Sequence, residues 1–330
     1  MTMQTAAFWK EQPCDKVQCV LCPHNCIIPT GKSGICKVRL NLKGALYSLI
    51  YSETTGVGLD PIEKKPLYHF FPGSQILSLG TNGCNLSCSF CQNWQISQTG
   101  NSERQKLTPD GAVRLARQES SIGIAYTYNE PFIWFEYVLE TAKKAKEQGL
   151  KNVLVTNGFV NPEPLMELLP YVDAMNIDLK SINDRFYRQT CNGSLPPVKR
   201  TIETAQKHCH IELTNLLVPG KNDSEKDLLE LTAYVSTLGK DIPLHFSRYF
   251  PLYKATEPAT PVSTLQNAAR IAKSKLNYVY LGNLEGEESS THCPKCKEEL
   301  IRRKGFLLET YHLSGSNCFK CGCNIYGSFK

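Results

Sequence analysis

The sequence predicts an α/β fold: a partial (β/α) TIM-like barrel with a Cys-rich N-terminal extension and a small C-terminal zinc-ribbon-like domain. Three observations lead there. Apolar strand-like runs alternate with helical patterns through the middle of the chain, which implies parallel strands joined by crossover helices. Fifteen cysteines in 330 residues are spread unevenly, with five up to Cys36, five from Cys84 to Cys209 and five from Cys293 to Cys323. Polar residues recur just after the strand-like runs, where a barrel of this kind keeps its chemistry. The expected division is residues 1–74, Cys-rich region; 75–285, core barrel; and 286–330, zinc-ribbon-like domain.

The core elements follow in order. Residues 75–79 read as a short buried strand, after which Gly80 and Gly83 allow a tight turn. Residues 122–126 form a second strand. A helix then opens near Pro131, places Phe132, Phe135, Leu139 and Ala142 on one face, and stops at Gly149. Further strands are expected at 153–155, 174–177, 211–218 and 244–247. Helices are expected between them, at about 162–169, 182–190, 197–208 and 224–239.

Composition narrows the classes. A hydrophobic content of 41% can supply a core, and no run of eighteen apolar residues is present to span a membrane. Residues 1–10 lack the long apolar stretch and cleavage site of a secretory signal, so a cytoplasmic chain is expected. There the cysteines act as metal ligands rather than disulfides. The net charge of +6 is interspersed rather than blocked, which permits nucleic acid but does not indicate it.

Cys84, Cys88 and Cys91 carry the main chemical signal. Their C-x3-C-x2-C spacing can hold three irons of a four-iron cluster and leave the fourth iron open to a small molecule. A zinc knuckle or a set of structural thiols is the alternative, but zinc sites usually supply four protein ligands. Glu130, Thr156–Gly158, Asp178 and Lys180 each follow a predicted strand, and His245 lies in the last of them. Singly they read as a cap, a turn, an ion pair and a core histidine. Together they sit at one predicted barrel mouth.

In order and wording these residues resemble the activating-enzyme branch of the radical S-adenosylmethionine (radical SAM) superfamily, typified by pyruvate formate-lyase activating enzyme. The similarity runs from about 77 to 284, with Phe90 as the aromatic of the cysteine motif. The resemblance implies a radical SAM barrel and a [4Fe-4S] cluster on Cys84, Cys88 and Cys91. It also implies S-adenosyl-L-methionine bound among Phe90, Asn93, Glu130, Thr156, Asn157, Asp178, Lys180 and His245. Two departures stand out. Tyr128-Asn-Glu130 replaces a Gly-Gly-Glu turn, and Val155 replaces an aspartate, which puts a monovalent-cation site in doubt. Cys19 to Cys26, Gly31 to Cys36, Tyr126 to Pro131 and Leu244 to Pro251 resemble the AmmeMemoRadiSam-system enzymes. That resemblance implies Memo-type and AMMECR-type partners. An electron donor such as flavodoxin or ferredoxin is also expected.

The outer cysteines form two sets. Four C-x2-C pairs occur where chance gives roughly 0.7. Cys293, Cys296, Cys318 and Cys321 read as a closed structural zinc site. Cys19, Cys22, Cys26 and Cys36 read as zinc or an auxiliary iron–sulfur cluster, with zinc preferred; spacing does not separate the two. Cys191 and Cys209 read as ordinary single cysteines in helical segments. The expected function is reductive cleavage of S-adenosylmethionine to a 5′-deoxyadenosyl radical that abstracts hydrogen from a substrate the sequence does not identify. The alternatives are an activating enzyme that places a glycyl radical on a protein partner, and a non-enzymatic metal-dependent module that binds RNA or protein.

Overall fold

One eight-stranded sheet organises the protein in the computed structural model, which describes residues 3–99, 102–284 and 288–329. Its strands are β1 (Gly56–Pro61), β2 (Gln75–Gly80), β3 (Gly123–Tyr126), β4 (Lys151–Thr156), β5 (Ala174–Asp178), β6 (His210–Leu217), β7 (Leu244–Arg248) and β8 (Val279–Gly282). From β2 onward each strand pairs parallel with the next. β1 adds antiparallel to β2, with Gly56 opposite Gly80. Strand order therefore follows chain order, and among the described residues β8 and β1 are not paired to each other.

A helix follows each parallel strand but the last: α1 (Pro109–Gln118), α2 (Phe135–Glu147), α3 (Pro162–Leu168), α4 (Leu195–Ala205), α5 (Glu225–Leu238) and α6 (Val262–Lys273). Helix starts follow local chemistry. Thr108 and Ser224 accept from the backbone N–H groups of Gly111 and Asp227, and proline opens α1, α3 and α4 near the first turn. The strands are covered on both faces, so Val153, Met175, Ile177, Ile211 and Leu213 are fully buried. Each such side chain contributes about 1.5–3 kcal/mol.

Four elements escaped the sequence pattern: β1, β8, α1 and α6. β1 reads Gly-Val-Gly-Leu-Asp-Pro, a turn-like composition, and β8 has only 4 residues. α1 opens Pro-Asp-Gly, which mimics a turn until the Thr108 cap is seen. Two helical expectations need correction. Residues 131–134 form a tight 3-10 turn before α2, and Cys209 lies beyond the end of α4. Because β1 joins the sheet, the sheet begins ahead of residue 75, and the boundary expected at 285/286 lies outside the described residues.

The N-terminal region forms two small antiparallel sheets. At the other end, 288–292, 299–304 and 307–311 make a three-stranded antiparallel sheet. Leu300, Ile301 and Ile325 pack there with Tyr68, Tyr278 and Tyr280 of the barrel side. Arg303 is fully buried, donates to the Tyr68 carbonyl (2.6 Å) and Thr291 Oγ1 (3.0 Å), and lies 3.5 Å from the Glu63 carboxylate.

Candidate active site

The loop after β2 runs against the N-terminal region with no room for a side chain at Gly83. Its φ is +92°, and a Cβ there would stand 2.7 Å from the Cys36 carbonyl oxygen. From the opposite side Asn129 grips the same loop, donating to the Gly83 carbonyl (2.8 Å) and accepting from the Thr81 N–H (3.1 Å). Cys84, Cys88 and Cys91 are thereby held facing a cavity of about 360 Å³ at the C-terminal ends of the parallel strands. That size falls within the range of small-molecule sites. Among the described residues lining it, those three are the only Cys or His.

Donors surround the sulfurs. The Leu86 N–H points at Cys84 Sγ (3.4 Å), as does Asn157 Nδ2 (3.7 Å), and Ser97 Oγ lies 3.1 Å from Cys91 Sγ. Burial raises the Cys84 thiol well above its ordinary range, with the Glu130 charge adding to it. Cys88 is pulled the other way, chiefly by a hydrogen bond from the buried Cys191. Cys191 is thus a partner of the motif and not the isolated cysteine its sequence context implies. No three of the cavity's thiols lie within 4.8 Å of one another, the spacing a single ion needs. Three spread thiols with N–H donors and an adjoining cavity fit a cluster with one iron left for a non-protein ligand.

The expected site residues gather here, with one exception. Phe90, Asn93, Glu130, Thr156, Asn157, Asp178 and Lys180 all line the cavity. Glu130, 2% exposed, accepts from Thr156 Oγ1 (2.7 Å), the Asn157 N–H (2.8 Å) and the Phe132 N–H (3.1 Å). Burial pushes its pKa up to about 7 in spite of those donors. Both its oxygens are engaged by the chain, so the carboxylate ties the loop after β3 to the end of β4. Asn157 extends that tie to Asn85 Oδ1 (2.9 Å) beside Cys84. Lys180 Nζ pairs with Asp178 Oδ2 at 2.7 Å. Burial alone would lower the Lys180 pKa, but Asp178 and the Cys88 and Cys191 thiols raise it well above the ordinary value. Asn93 Nδ2 donates to the Tyr128 carbonyl (2.6 Å) and so fixes the far end of the cysteine loop.

His245 is the exception. It sits on β7 one step below the cavity, 4% exposed, with Nε2 2.6 Å from Glu212 Oε2 and its ring against Tyr68 and Tyr280. Glu212 also meets His210 Nε2 (3.1 Å) and the His69 N–H (2.7 Å). Burial would raise the Glu212 pKa, yet the bonds from His210 and His245 outweigh it and hold the carboxyl well below its usual range. His245 therefore belongs to a polar floor under the cavity. The reason is depth along the strand: Ser247, two residues on and on the same face, reaches the cavity instead.

Sequence reasoning missed a rim group. Asp60 accepts from Lys64, Lys65 and Tyr128 Oη, each at 2.7 Å, and Lys64, Lys65 and Tyr128 line the cavity. The signal was the charged stretch Asp60-Pro-Ile-Glu-Lys-Lys-Pro66, but β1 was needed to place it.

The two outer cysteine sets differ. Sulfurs of Cys293, Cys296, Cys318 and Cys321 all lie within 4.8 Å of one another, and among the described residues this is the one group of three or more potential ligands so close. A single tetrahedral ion with bonds of about 2.3 Å spaces its sulfurs by about 3.8 Å, close to the 3.5 Å and 3.7 Å of Cys293–Cys321 and Cys296–Cys318. Cys19, Cys22, Cys26 and Cys36 share the wall of a separate cavity.

Known proteins resemble this chain along its whole length and in its core. Residues 78–232 match the sequence pattern described as the Radical SAM superfamily. An uncharacterised protein of Methanocaldococcus jannaschii is 43% identical over 332 residues, covering 98% of this chain and 99% of that one. Pyruvate formate-lyase 1-activating enzyme of Escherichia coli is 25% identical over 193 residues, covering 56% of this chain and 77% of that one. A radical SAM methyltransferase from Sphaerobacter thermophilus has the same fold, with a TM-score of 0.51 at 16% identity over 64% of this chain and 67% of that one.

Proposed function

This chain belongs to the radical SAM superfamily, and on that premise we propose that it is a radical enzyme working in the cavity beneath Cys84, Cys88 and Cys91. The observation that carries the reading is the convergence of three thiols, Phe90 and Asn93 of their loop, and five residues at or after strand ends on one cavity that holds no fourth Cys or His among its described lining. Cys84, Cys88 and Cys91 would hold a [4Fe-4S] cluster, which would supply the electron for reductive cleavage of S-adenosylmethionine to methionine and a 5′-deoxyadenosyl radical.

The remaining work belongs to the chain. Lys180 offers a cation for the methionine carboxylate and Asp178 an anion for its ammonium, while Glu130 keeps the β4 turn in place. Asn157 and the Leu86 N–H hold Cys84 by its sulfur. Phe90 is buried beside the motif and helps keep water from it. Thr214, Leu216 and Ser247 also line the cavity and would border a substrate held near the ribose.

We favour a substrate of this chain's own, handled with Memo-type and AMMECR-type partners and an electron donor such as flavodoxin or ferredoxin. The two outer cysteine regions, which lie outside the 78–232 match to the radical SAM superfamily, support that preference. That 25% similarity supports a second reading, an activating enzyme for a glycyl-radical partner. At the C-terminal cysteines we assign zinc, on the tight four-sulfur spacing.

The test is anaerobic reconstitution followed by an assay for 5′-deoxyadenosine with S-adenosylmethionine and dithionite. The wild type is expected to form it and Cys84→Ala/Cys88→Ala/Cys91→Ala is not. Equal product from the triple variant would sink the proposal.

A further inference from the structure

We propose that Cys19, Cys22, Cys26 and Cys36 hold a second iron–sulfur cluster, ligated by four thiolates, and not the single zinc ion that their sequence favours. All four side chains line one small apolar cavity in the N-terminal region, together with His24 and Arg39.

The first argument is spacing within this one molecule. The C-terminal four bring their sulfurs within 4.8 Å of one another, while no three of the N-terminal four do so. Cys84, Cys88 and Cys91, the thiols of the superfamily's cluster motif, likewise form no such close group. A four-iron cluster holds its thiolates farther apart than a single tetrahedral ion does, because iron and sulfide stand between them.

The second argument comes from Arg39. It is 1% exposed, and Nη2 donates to Glu136 Oε1 at 2.8 Å. Its Nε and Nη1 have no hydrogen-bond partner. Two idle N–H-bearing nitrogens of a buried guanidinium are costly. Thiolate and sulfide acceptors in the adjoining cavity would satisfy them, as N–H donors commonly do around iron–sulfur clusters.

The position is informative too. His24 Nε2 lies 2.7 Å from the Asn85 carbonyl oxygen, and the Cys36 carbonyl abuts Gly83, so the N-terminal cysteines lean on the loop that carries Cys84. With all four irons capped by protein, this cluster has no open position for a substrate. Its chemistry is confined to bracing that loop and carrying an electron.

Metal and acid-labile sulfide counts on anaerobically prepared full-length protein test the assignment without reference to catalysis. Wild type should hold about eight irons with matching sulfide and one zinc, at about four irons per cluster. Cys84→Ala/Cys88→Ala/Cys91→Ala should keep about four irons and four sulfides. Cys22→Ala/Cys36→Ala should fall from about eight irons to about four with zinc unchanged, which also covers the case of a triple variant that does not fold. A second zinc that disappears in Cys22→Ala/Cys36→Ala with iron unchanged would overturn the proposal. So would iron at the N-terminal cysteines without sulfide. Failure of 5′-deoxyadenosine formation leaves these counts untouched, so the two readings fail separately.

Discussion

Replacing Glu130 with glutamine keeps the shape of the side chain and separates its role as an acceptor from its role as a charge. In the folded chain its two oxygens accept from three donors, and glutamine can serve only the donors facing its carbonyl. The amide N–H2 then opposes a backbone or hydroxyl donor, which costs about 1–3 kcal/mol for a buried group. Against this stands the cost of ionising a carboxyl whose pKa is raised from 4.5 to about 7. The raised value means that the protonated form is the one the fold prefers. The wild type is therefore most stable in this respect below about pH 4.5 and loses stability as pH rises toward 7, at about 1.4 kcal/mol per pH unit. By pH 8 the loss is about 3 kcal/mol. Glu130→Gln has no such loss. It should be less stable than wild type near pH 5, and the gap should shrink by about 2–3 kcal/mol by pH 8. Urea midpoints with matched m-values, taken from pH 5 to pH 8, give the answer. Two stability curves that run parallel across that range would refute the assignment of the titration to Glu130.

Gly83→Ala places a Cβ 2.7 Å from the Cys36 carbonyl on a backbone with φ of +92°. A stability loss of about 1–3 kcal/mol and less iron retained per chain are expected; an unchanged urea midpoint would show that the loop packs elsewhere. His245→Leu removes one of three groups bonded to the buried Glu212 and should cost about 3 kcal/mol. Because the Glu212 pKa is held low, its contribution is present at neutral pH and lost on acidification, so the variant should unfold at a higher pH than wild type. Its affinity for S-adenosylmethionine, measured calorimetrically on reconstituted protein, should stay within about twofold; a tenfold loss would return His245 to the cavity wall.

Cys84, Cys88, Cys91, Glu130, Asn157, Asp178 and Lys180 were legible in the sequence because parallel α/β folds deliver strand ends to one side. Residues following apolar runs then share a neighbourhood before any coordinate is known. The runs themselves were legible because strands covered on both faces carry apolar residues at adjacent positions, as Ile76 and Leu77 do in β2 and Val153 and Leu154 in β4. β1 was hidden, since one of its faces is half exposed and two of its residues are glycine.

Spacing along the chain thus determined which residues could be ligands and which strand ends would meet. Only the tertiary structure decided what each one touches. His245 and Ser247 share a face of β7, and depth along the strand sends one to Glu212 and the other to the cavity. Cys191 meets Cys88 across more than a hundred residues. The outer cysteine sets have similar C-x2-C spacings, yet one closes tightly around a point and the other rings a cavity. Short-range spacing limits only how near neighbours in a loop can come. The distance between sulfurs from different loops is set by the packing of whole elements, and that distance distinguishes room for one ion from room for a cluster.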